Sequence, residues 1–208
     1  MSKAALERRL SRVEDFEDPR IEWEQYATPA DLAAHLVHLT DVQGDLAGRT
    51  VLDLGTGTGM LALGAACRSP ARVLALDRDP TALARARENE RRVESGVGVE
   101  WLLGDATRAP FCFSEGSEVT VLMNPPFGAQ TGNEHADRAF LETASEIAAA
   151  SYSIHNAGSQ EFVEAFATDE GGEVTHAFQA ELSLPRRFDH QTSDREVVDA
   201  EVFRIVWE

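Results

Sequence analysis

The residues best suited to chemistry are four in a row, Asn124, Pro125, Pro126 and Phe127, directly after the apolar run 119–123. The side-chain oxygen of Asn124 and the main-chain oxygen of Pro125 can each accept one hydrogen from a planar amine. Proline locks φ, so the spacing between these acceptors is fixed, and Phe127 offers a face on which a flipped base can stack. These four residues, called the tetrad below, are the predicted catalytic residues. The alternative is a rigid turn with a packed phenylalanine.

A tetrad of this kind suits methylation of the exocyclic amine of adenine or of a glutamine amide. The lone pair of either nitrogen is delocalised, so the nitrogen is a poor nucleophile. Its hydrogens must be held and the planar group aligned with the electrophilic carbon, and positioning of this kind contributes several kcal/mol. No metal ion or strong base is required, because the amine loses its proton after it has become cationic.

A second motif, VLDLGTGTGM, places Gly55, Gly57 and Gly59 between a predicted strand and a predicted helix. Glycine allows a ligand to approach the backbone closely and adopts positive φ without steric cost. In α/β sheets, ligands bind at the carboxyl ends of the strands, near the point where strand order reverses. The turn therefore predicts a ligand site, although a tight connection without a ligand would also explain it.

Three carboxylates indicate which ligand to expect. Asp77 ends the second predicted strand, where it can accept both ribose hydroxyls, and Asp105 follows the third, where it can accept from an adenine amine. Asp53 can reach an amino group, directly or through a water, whereas Asp79 is interpreted as a helix N-cap. An adenosine with an amino-acid tail fits these positions, and no second phosphate-binding feature supports a dinucleotide. The predicted cofactor is S-adenosyl-L-methionine, which Asn124 is expected to contact as well.

Strands and helices must alternate to bring these motifs to one edge of a sheet. Helices are predicted over 1–18, 29–40, 60–67, 80–92, 134–149 and 159–168, with Thr28 and Ser159 as candidate N-caps. Strands are predicted over 50–55, 72–77, 97–103, 118–123, 151–155, 173–184 and 195–207. The alternation predicts a parallel sheet, and the closing pair must be antiparallel because no helix separates its strands.

We therefore expect an α/β fold of the class I methyltransferase (Rossmann-like) type. Its sheet should have seven strands, mostly parallel, with a C-terminal antiparallel hairpin. The whole chain, 1–208, should form one methyltransferase domain with an N-terminal helical extension over 1–40.

Composition narrows the class of protein further. No apolar run is long enough to span a membrane and no signal peptide is evident, so a cytoplasmic protein is expected. Cys67 and Cys112 lack a metal-binding spacing, and no metal site is expected. The net charge is −17 and Lys3 is the only lysine, a composition typical of a salt-loving cytoplasm. The alternative is ordinary solubility charge in a genome that prefers arginine.

At these motifs the chain resembles the archaeal and eukaryotic methyltransferase-like proteins that methylate N6 of one adenosine in small-subunit ribosomal RNA. The resemblance covers most of 20–208 and rests on EQYAT, DLGTGTGML, ALDRDPTAL, MNPPFG, DRAFLETA, YSIHNAGS, LSLPRRFDH and VVDAEVFRI. It implies an S-adenosylmethionine-dependent N6-adenine methyltransferase acting on RNA. It also implies that Gln25, Tyr26 and Thr28 close over the cofactor; the alternative for EQYAT is a surface loop.

The same resemblance implies a partner, a small zinc-binding methyltransferase activator subunit that pairs with an exposed edge strand. Strand 97–103, VGVEWLL, is expected at the sheet edge, where a flat apolar strand invites pairing with another chain. Coverage of this edge by the chain's own loop FCFSEG, 111–116, is the alternative.

Substrate contacts are the least defined part of the prediction. The acidic charge disfavours nonspecific binding of nucleic acid, which depends on cationic contacts to phosphate. Arg186 and Arg187, near the tip of the closing hairpin, are the expected RNA contacts in preference to Arg91 and Arg92. Other candidates for substrate contact, each weighed against a plain loop role, are His135, His155 and Asn156.

Three rival functions remain open from the sequence. The nearest is a protein glutamine N5-methyltransferase acting on a translation release factor, since the tetrad fits an amide nitrogen equally well. A transfer-RNA adenine methyltransferase is a second, and a non-catalytic cofactor-binding or scaffold protein is a third. The scaffold would predict an impaired tetrad or a missing ribose acid, and neither is seen.

Overall fold

One seven-stranded sheet organises the chain. The computed structural model describes residues 1–114, 116–127, 136–185 and 195–208. The strands are β1 Thr50–Leu54, β2 Arg72–Asp77, β3 Val99–Leu103, β4 Val119–Met123, β5 Ala150–Asn156, β6 Gly172–Pro185 and β7 Arg195–Trp207. Their order is β3-β2-β1-β4-β5-β7-β6, with β1 to β5 parallel and β7 antiparallel to both neighbours. The predicted fold class is confirmed.

Helices cover both faces of the sheet. They are α1 Lys3–Leu10, α2 Ala30–Val42, α3 Met60–Ala66, α4 Pro80–Val93, α5 Ala136–Ile147 and α6 Gln160–Asp169, with short 3-10 turns at Ile21–Trp23 and Ala106–Arg108. Alternate residues of a strand point to opposite faces. Val51 therefore packs in the core beneath α1, α2 and α3, and Leu52 in the core beneath α5 and α6. No helix in the described ranges is long and apolar enough to cross a membrane.

The strand order reverses beside β1, and this places the two sequence motifs side by side. β1 pairs with β2 on one edge and with β4 on the other, so Leu54 at the end of β1 lies opposite Met123 at the end of β4. The glycine turn follows Leu54 and the tetrad follows Met123. Parallel pairing in register therefore builds the predicted site at the switch point.

The N-terminal helix is shorter than predicted. It ends at Leu10 instead of continuing to residue 18, and most of the chain up to α2 is irregular. Past the end of the helix, the side chain of Asn89 of α4 accepts from the main-chain N–H of Glu14 and donates to its main-chain oxygen. A side chain that occupies both main-chain groups of Glu14 prevents that residue from continuing a helix.

Of the two predicted helix N-caps, Thr28 is wrong, and Ser159 occupies the N-cap position of α6 without a capping side-chain hydrogen bond. Pro29, rather than Thr28, occupies the N-cap position of α2, and the hydroxyl of Thr28 accepts a hydrogen bond from Asn124 instead. Ser159 precedes α6 but its side chain makes no capping hydrogen bond, while its main-chain N–H donates to Glu201. In both cases a tertiary contact takes the place of the local cap.

The closing hairpin extends beyond the rest of the sheet. β7 pairs with β5 only as far as Ala200 opposite Asn156, but β6 and β7 stay in register up to Pro185 opposite Arg195. At about 3.4 Å per residue, the paired strands extend roughly 17 Å past the carboxyl end of β5. That end of β5 is also the side of the sheet on which the tetrad lies. Arg186 and Arg187 lie outside the described residues.

A buried ionic cluster joins the loop before β1 to the strands. Asp45 Oδ2 accepts from the Tyr152 hydroxyl at 2.6 Å and from Arg204 Nε at 2.8 Å. The main-chain oxygen of Asp45 accepts from the hydroxyl of Thr120 at 2.6 Å. Burial and the neighbouring Asp45 carboxylate raise the pKa of Tyr152, so its phenol stays protonated and donates. Asp45 thus ties the chain to β5 and β7 through its carboxylate and to β4 through its main-chain oxygen.

Replacement Asp45→Asn is expected to lower the free energy of unfolding by about 3 kcal/mol, because it leaves the half-buried Arg204 charge without its counter-ion. Denaturant unfolding followed by circular dichroism would measure the loss. Glu100→Gln is the matched control, since it removes one partner of the exposed pair with Arg72 and should leave stability nearly unchanged. Equal losses in the two variants would contradict this account of Asp45.

Candidate active site

A cavity of about 350 Å³ opens at the carboxyl ends of β1, β2 and β4. Most of the residues predicted from the sequence to form the site line it: Gln25, Tyr26, Thr28, Asp53, Gly55, Gly57, Asp77, Asp105, Asn124 and Pro126. Three predicted residues, Gly59, Pro125 and Phe127, lie outside the lining. Sequence reasoning missed further lining residues, among them Phe16, Trp23 and Glu24.

Gly57 and Gly59 of the turn are each required to be glycine for a different physical reason. Gly57 has φ +54 and a Cβ there would lie 2.9 Å from the ring of Phe16, so glycine is required at the cavity wall. Gly59 has φ +92 and occupies the N-cap position of α3. A Cβ at Gly59 would lie 2.8 Å from the ring of Trp101, so this glycine accommodates packing rather than the cavity.

Asp77 is held rigidly at the end of β2. Its Oδ2 accepts from the Gly57 N–H at 2.7 Å and its Oδ1 accepts from the Asp79 N–H at 2.8 Å. Burial raises the pKa of Asp77, while these two hydrogen bonds act against the rise. Each carboxylate oxygen can accept more than one hydrogen bond, so Asp77 can still accept two hydroxyl donors from the cavity.

Asp53 is a carboxylate with 1% of its surface exposed, within β1 at the cavity. Its Oδ2 accepts from the Thr56 hydroxyl at 2.6 Å and from the Ala62 N–H at 2.8 Å. Burial raises the pKa of Asp53 to about 7, against the lowering effect of these hydrogen bonds. A cationic group in the cavity would therefore stabilise the ionised form of Asp53.

Asp105 follows β3 and caps the 3-10 turn at Ala106–Arg108. Its Oδ1 accepts from both the N–H and the hydroxyl of Thr107, at 2.9 and 2.8 Å. Partial burial raises its pKa, but these hydrogen bonds outweigh that effect and the net shift is downward. Asp105 is thus an ionised acceptor on the cavity wall.

A segment ahead of α2, residues 14–28 and called the strap below, forms one wall of the cavity. The amide of Gln25 fastens it: Nε2 donates to Asp79 Oδ2 at 2.7 Å, and Oε1 accepts from the main-chain N–H of Arg20 at 2.8 Å. Asp79 also accepts from Thr81 N as the N-cap of α4, as the sequence predicted. Gln25 therefore joins the strap to the start of α4.

The strap also carries a cationic stack. The guanidinium groups of Arg20 and Arg78 lie 4.2 and 4.5 Å from the ring centroid of Trp23. Arg78 directly follows Asp77, so the stack fixes the strap against the end of β2. Nothing in the sequence pattern indicated this contact, because it joins residues more than fifty positions apart.

The tetrad meets the strap at the cavity. Asn124 Nδ2 donates to Thr28 Oγ1 at 3.0 Å, and Asn124 Oδ1 is buried without a hydrogen-bond partner. The Phe127 N–H donates to Glu24 Oε2 at 2.7 Å, and the Phe127 main-chain oxygen accepts from Asn156 Nδ2 at 3.4 Å. The ring of Phe127 packs on the ring of Tyr26, with centroids 5.4 Å apart. Pro126, rather than Phe127, is the apolar tetrad residue on the cavity wall.

The remaining candidates divide between structural and undescribed positions. His155 is buried in β5, where its Nε2 lies 2.8 Å from Ser153 Oγ and its Nδ1 lies 3.9 Å from Asp137 Oδ2. His155 is therefore a buried structural residue and not a surface contact for the substrate. His135 lies outside the described residues. Among the residues that the structure describes, no cluster of three or more His, Cys, Asp or Glu side chains could hold a metal ion.

Comparison with known proteins identifies the class to which this fold and cavity belong. The family model for the methyltransferase small domain matches residues 30–174. The chain is 33% identical to the rRNA N(6)-adenosine-methyltransferase Mettl5 of Drosophila melanogaster, over 96% of this chain and 95% of that protein. It is 31% identical to an uncharacterised protein of Methanocaldococcus jannaschii, over 99% of this chain and 94% of that one.

A solved structure is similar over the full length. The crystal structure of a candidate RNA methyltransferase from Pyrococcus horikoshii has a TM-score of 0.86 and 33% identity, covering 100% of this chain and 98% of that one. The chain belongs to the methyltransferase small-domain family. The predicted enzyme class and cofactor are confirmed: the protein is a methyltransferase that uses S-adenosyl-L-methionine.

The raised pKa of Asp53 predicts a pH-dependent stability of the protein without cofactor. The folded state holds a proton on Asp53 that the unfolded chain releases near pH 4, so this contribution to stability is lost as pH rises toward about 7. Asp53→Asn lacks the ionisation. Its free energy of unfolding relative to the wild type should therefore rise by about 2 kcal/mol between pH 5 and pH 8.

Paired urea titrations of the two proteins at several pH values would measure this difference, and other titrating groups cancel in the comparison. A difference that stays constant with pH would show that Asp53 is already ionised in the folded protein.

Proposed function

We propose that the protein transfers the methyl group of S-adenosylmethionine to N6 of an adenosine in RNA, and that the RNA is that of the small ribosomal subunit. The observation that carries the proposal is Asn124 Oδ1, which is buried beside the cavity and has no hydrogen-bond partner. An unsatisfied buried acceptor costs about 1–3 kcal/mol. A substrate amine would satisfy it with one N–H.

The tetrad has the chemistry to orient that amine. Because Asn124 Nδ2 already donates to Thr28, the amide presents its oxygen to the substrate. The main-chain oxygen of Pro125 is the proposed acceptor for the second hydrogen, at a distance fixed by the two prolines. With both hydrogens held, the nitrogen lone pair is directed at the methyl carbon. The proton then leaves the nitrogen after transfer, so no base is needed.

The cavity residues fit the cofactor from end to end. Asp77 would accept the ribose hydroxyls, and Asp105 would accept from the adenine amine. Asp53 would face the cationic amino group of the cofactor, and that charge would stabilise the ionised carboxylate. Gly55 and Gly57 would let the amino-acid tail lie against the backbone. When bound, the cofactor supplies a sulfonium methyl group, and Asn124 is proposed to contact its reacting end.

Two observations support RNA as the substrate. The relative in Drosophila melanogaster carries the name of an rRNA N6-adenosine methyltransferase at 33% identity, and one in Danio rerio carries it at 32%. The β6–β7 hairpin extends on the tetrad side of the sheet, so a long substrate would meet it. Arg186 and Arg187 remain the predicted RNA contacts. The acidic composition remains an expected adaptation to a cytoplasm with a high salt concentration.

We also propose that a small zinc-binding activator subunit docks on β3, which is an edge strand. Side chains of α4 already engage part of this edge: the main-chain N–H of Val99 donates to Glu90, and the main-chain oxygen of Trp101 accepts from Arg87. A pairing partner would have to replace these two hydrogen bonds. Leu103 is 64% exposed at the end of this edge. Trp101 itself packs partly buried on the core, so Leu103 is the apolar group that a partner would cover.

Purified protein with labelled S-adenosylmethionine should methylate small ribosomal subunits. Large subunits, transfer RNA and release factor serve as the alternative substrates in the same assay. Nuclease digestion of the product should yield N6-methyladenosine. Label found only in release factor would establish the protein glutamine methyltransferase instead.

Asn124→Ala should reduce methyl transfer at least a hundredfold, since one of the two acceptors that align the amine is lost. The variant should bind S-adenosylmethionine with nearly unchanged affinity in a calorimetric titration, because the cofactor keeps its other contacts. A comparable loss of cofactor affinity would mean that Asn124 acts on the cofactor and not on the substrate.

Leu103→Lys should abolish co-purification with the zinc-binding activator subunit when both are expressed together, because a charge on an edge strand opposes pairing. The matched control is Val42→Lys on α2, a residue with a similar exposed fraction, 67% against 64%. Retention of the activator by the Leu103 variant would place the docking surface elsewhere.

A further inference from the structure

The strap and the tetrad run in opposite directions and touch at both ends. Thr28 at the end of the strap meets Asn124 at the start of the tetrad, and Glu24 meets Phe127 at its end. Between these contacts the ring of Tyr26 packs on Phe127. A segment about a hundred residues earlier in the chain therefore holds the whole length of the tetrad.

The hydrogen bond between Phe127 and Glu24 matters because the two residues before Phe127 are prolines. Proline has no main-chain N–H, so neither Pro125 nor Pro126 offers a donor by which the fold could anchor it. The first donor after Asn124 is the N–H of Phe127, and Glu24 accepts it at 2.7 Å. A hydrogen bond from a main-chain donor can therefore anchor the tetrad after Asn124 only at Phe127.

We infer that Glu24 is a positioning residue for methyl transfer: its carboxylate holds the Phe127 N–H and so fixes the Pro125 carbonyl that receives the substrate amine. This inference rests on the proposed function. Asn156, at the end of β5, donates to the main-chain oxygen of the same Phe127. Glu24 and Asn156 thus grip the residue from the strap side and the sheet side.

The character of Glu24 fits this role better than that of a surface acid. Only 8% of its surface is exposed, although a buried carboxylate needs partners to offset its lost hydration. Its backbone has φ +50, the left-handed region that a residue with a side chain avoids, at a cost of about 1–2 kcal/mol. A charged acceptor makes a shorter and stronger hydrogen bond than a neutral one. The fold therefore tolerates a strained backbone and a buried carboxylate at Glu24, the residue whose side chain contacts the tetrad.

The test compares Glu24→Ala and Glu24→Gln with the wild type, and Glu22→Ala serves as a matched control. Glu22 lies two residues earlier in the strap, is exposed and does not line the cavity. In Glu24→Ala, kcat should fall about 10- to 100-fold, the scale of a misplaced reacting group. The Kd for S-adenosylmethionine should change less than about twofold, since positioning acts on the reaction step. Glu24→Gln keeps an acceptor oxygen and should recover most of kcat.

A direct readout is hydrogen exchange at the Phe127 amide, measured by nuclear magnetic resonance with S-adenosylmethionine bound. Exchange should speed up at least tenfold in Glu24→Ala and stay as in the wild type in Glu22→Ala. This measurement needs no substrate. If Glu24→Ala does not fold, Glu24→Gln still reports through a smaller increase in exchange at the same amide.

Unchanged kcat and unchanged exchange in Glu24→Ala would overturn the inference. A loss of cofactor affinity equal to the loss in kcat would overturn it as well, because Glu24 would then act by closing the strap over the cofactor. The activity of each variant is expressed as a ratio to that of the wild-type protein, measured on whichever substrate the wild-type protein methylates. Label on a protein instead of RNA would therefore refute the proposed function and leave the test of Glu24 intact.

Discussion

The parallel pairing of β1 with both β2 and β4 is the constraint on which the rest of the structure depends. It brings the ends of three strands to one line, and each strand delivers a different chemical group there. The glycine turn comes from β1, Asp77 from β2 and the tetrad from β4. None of these groups is near the others in sequence, and the register of a parallel sheet moves a side chain to the wrong face if it slips by one residue.

Acidic groups dominate this edge, and the protein stabilises them in different ways. All three carboxylates accept a main-chain N–H, but Asp77 and Asp105 lie nearer the surface, whereas Asp53 lies deeper and has a pKa raised to about 7. A binding cavity that keeps one carboxylate close to neutrality without its ligand is matched to a ligand with a positive charge. The confirmed cofactor has such a charge. At neutral pH and above, ionisation of the same buried carboxylate lowers the stability of the protein without a ligand.

The sequence predicted the sheet, and it predicted the glycines, the acids and the tetrad at the cavity, because these depend on local signals. Short β-branched runs, glycines and prolines mark strands and turns wherever the chain later packs. The sequence predicts the strap only in part. The resemblance singles out EQYAT, residues 24–28, but assigns no role to Glu24, and Phe16 and Trp23 carry no signal of their own. Their roles depend on contacts with Gly57, Arg78 and Phe127, which are distant in sequence. The same limitation applies to the helix predicted to residue 18. The helical spacing of Leu6, Leu10 and Val13 is a local signal. It cannot reveal that Asn89, far along the chain, hydrogen bonds to the main chain of Glu14.

The strap has a consequence for what the family shares. The family model begins at residue 30, immediately after the strap, and stops at residue 174, near the start of the long hairpin. The matched segment therefore contains the glycine turn, the acids and the tetrad, but neither the strap nor most of the β6–β7 hairpin. A chain reduced to residues 30–174 would lack the wall that the strap gives the cavity and the Thr28 hydroxyl that accepts from Asn124. In this protein, residues inside and outside the matched segment line the same cavity, and the relatives that align over nearly the whole chain include both parts.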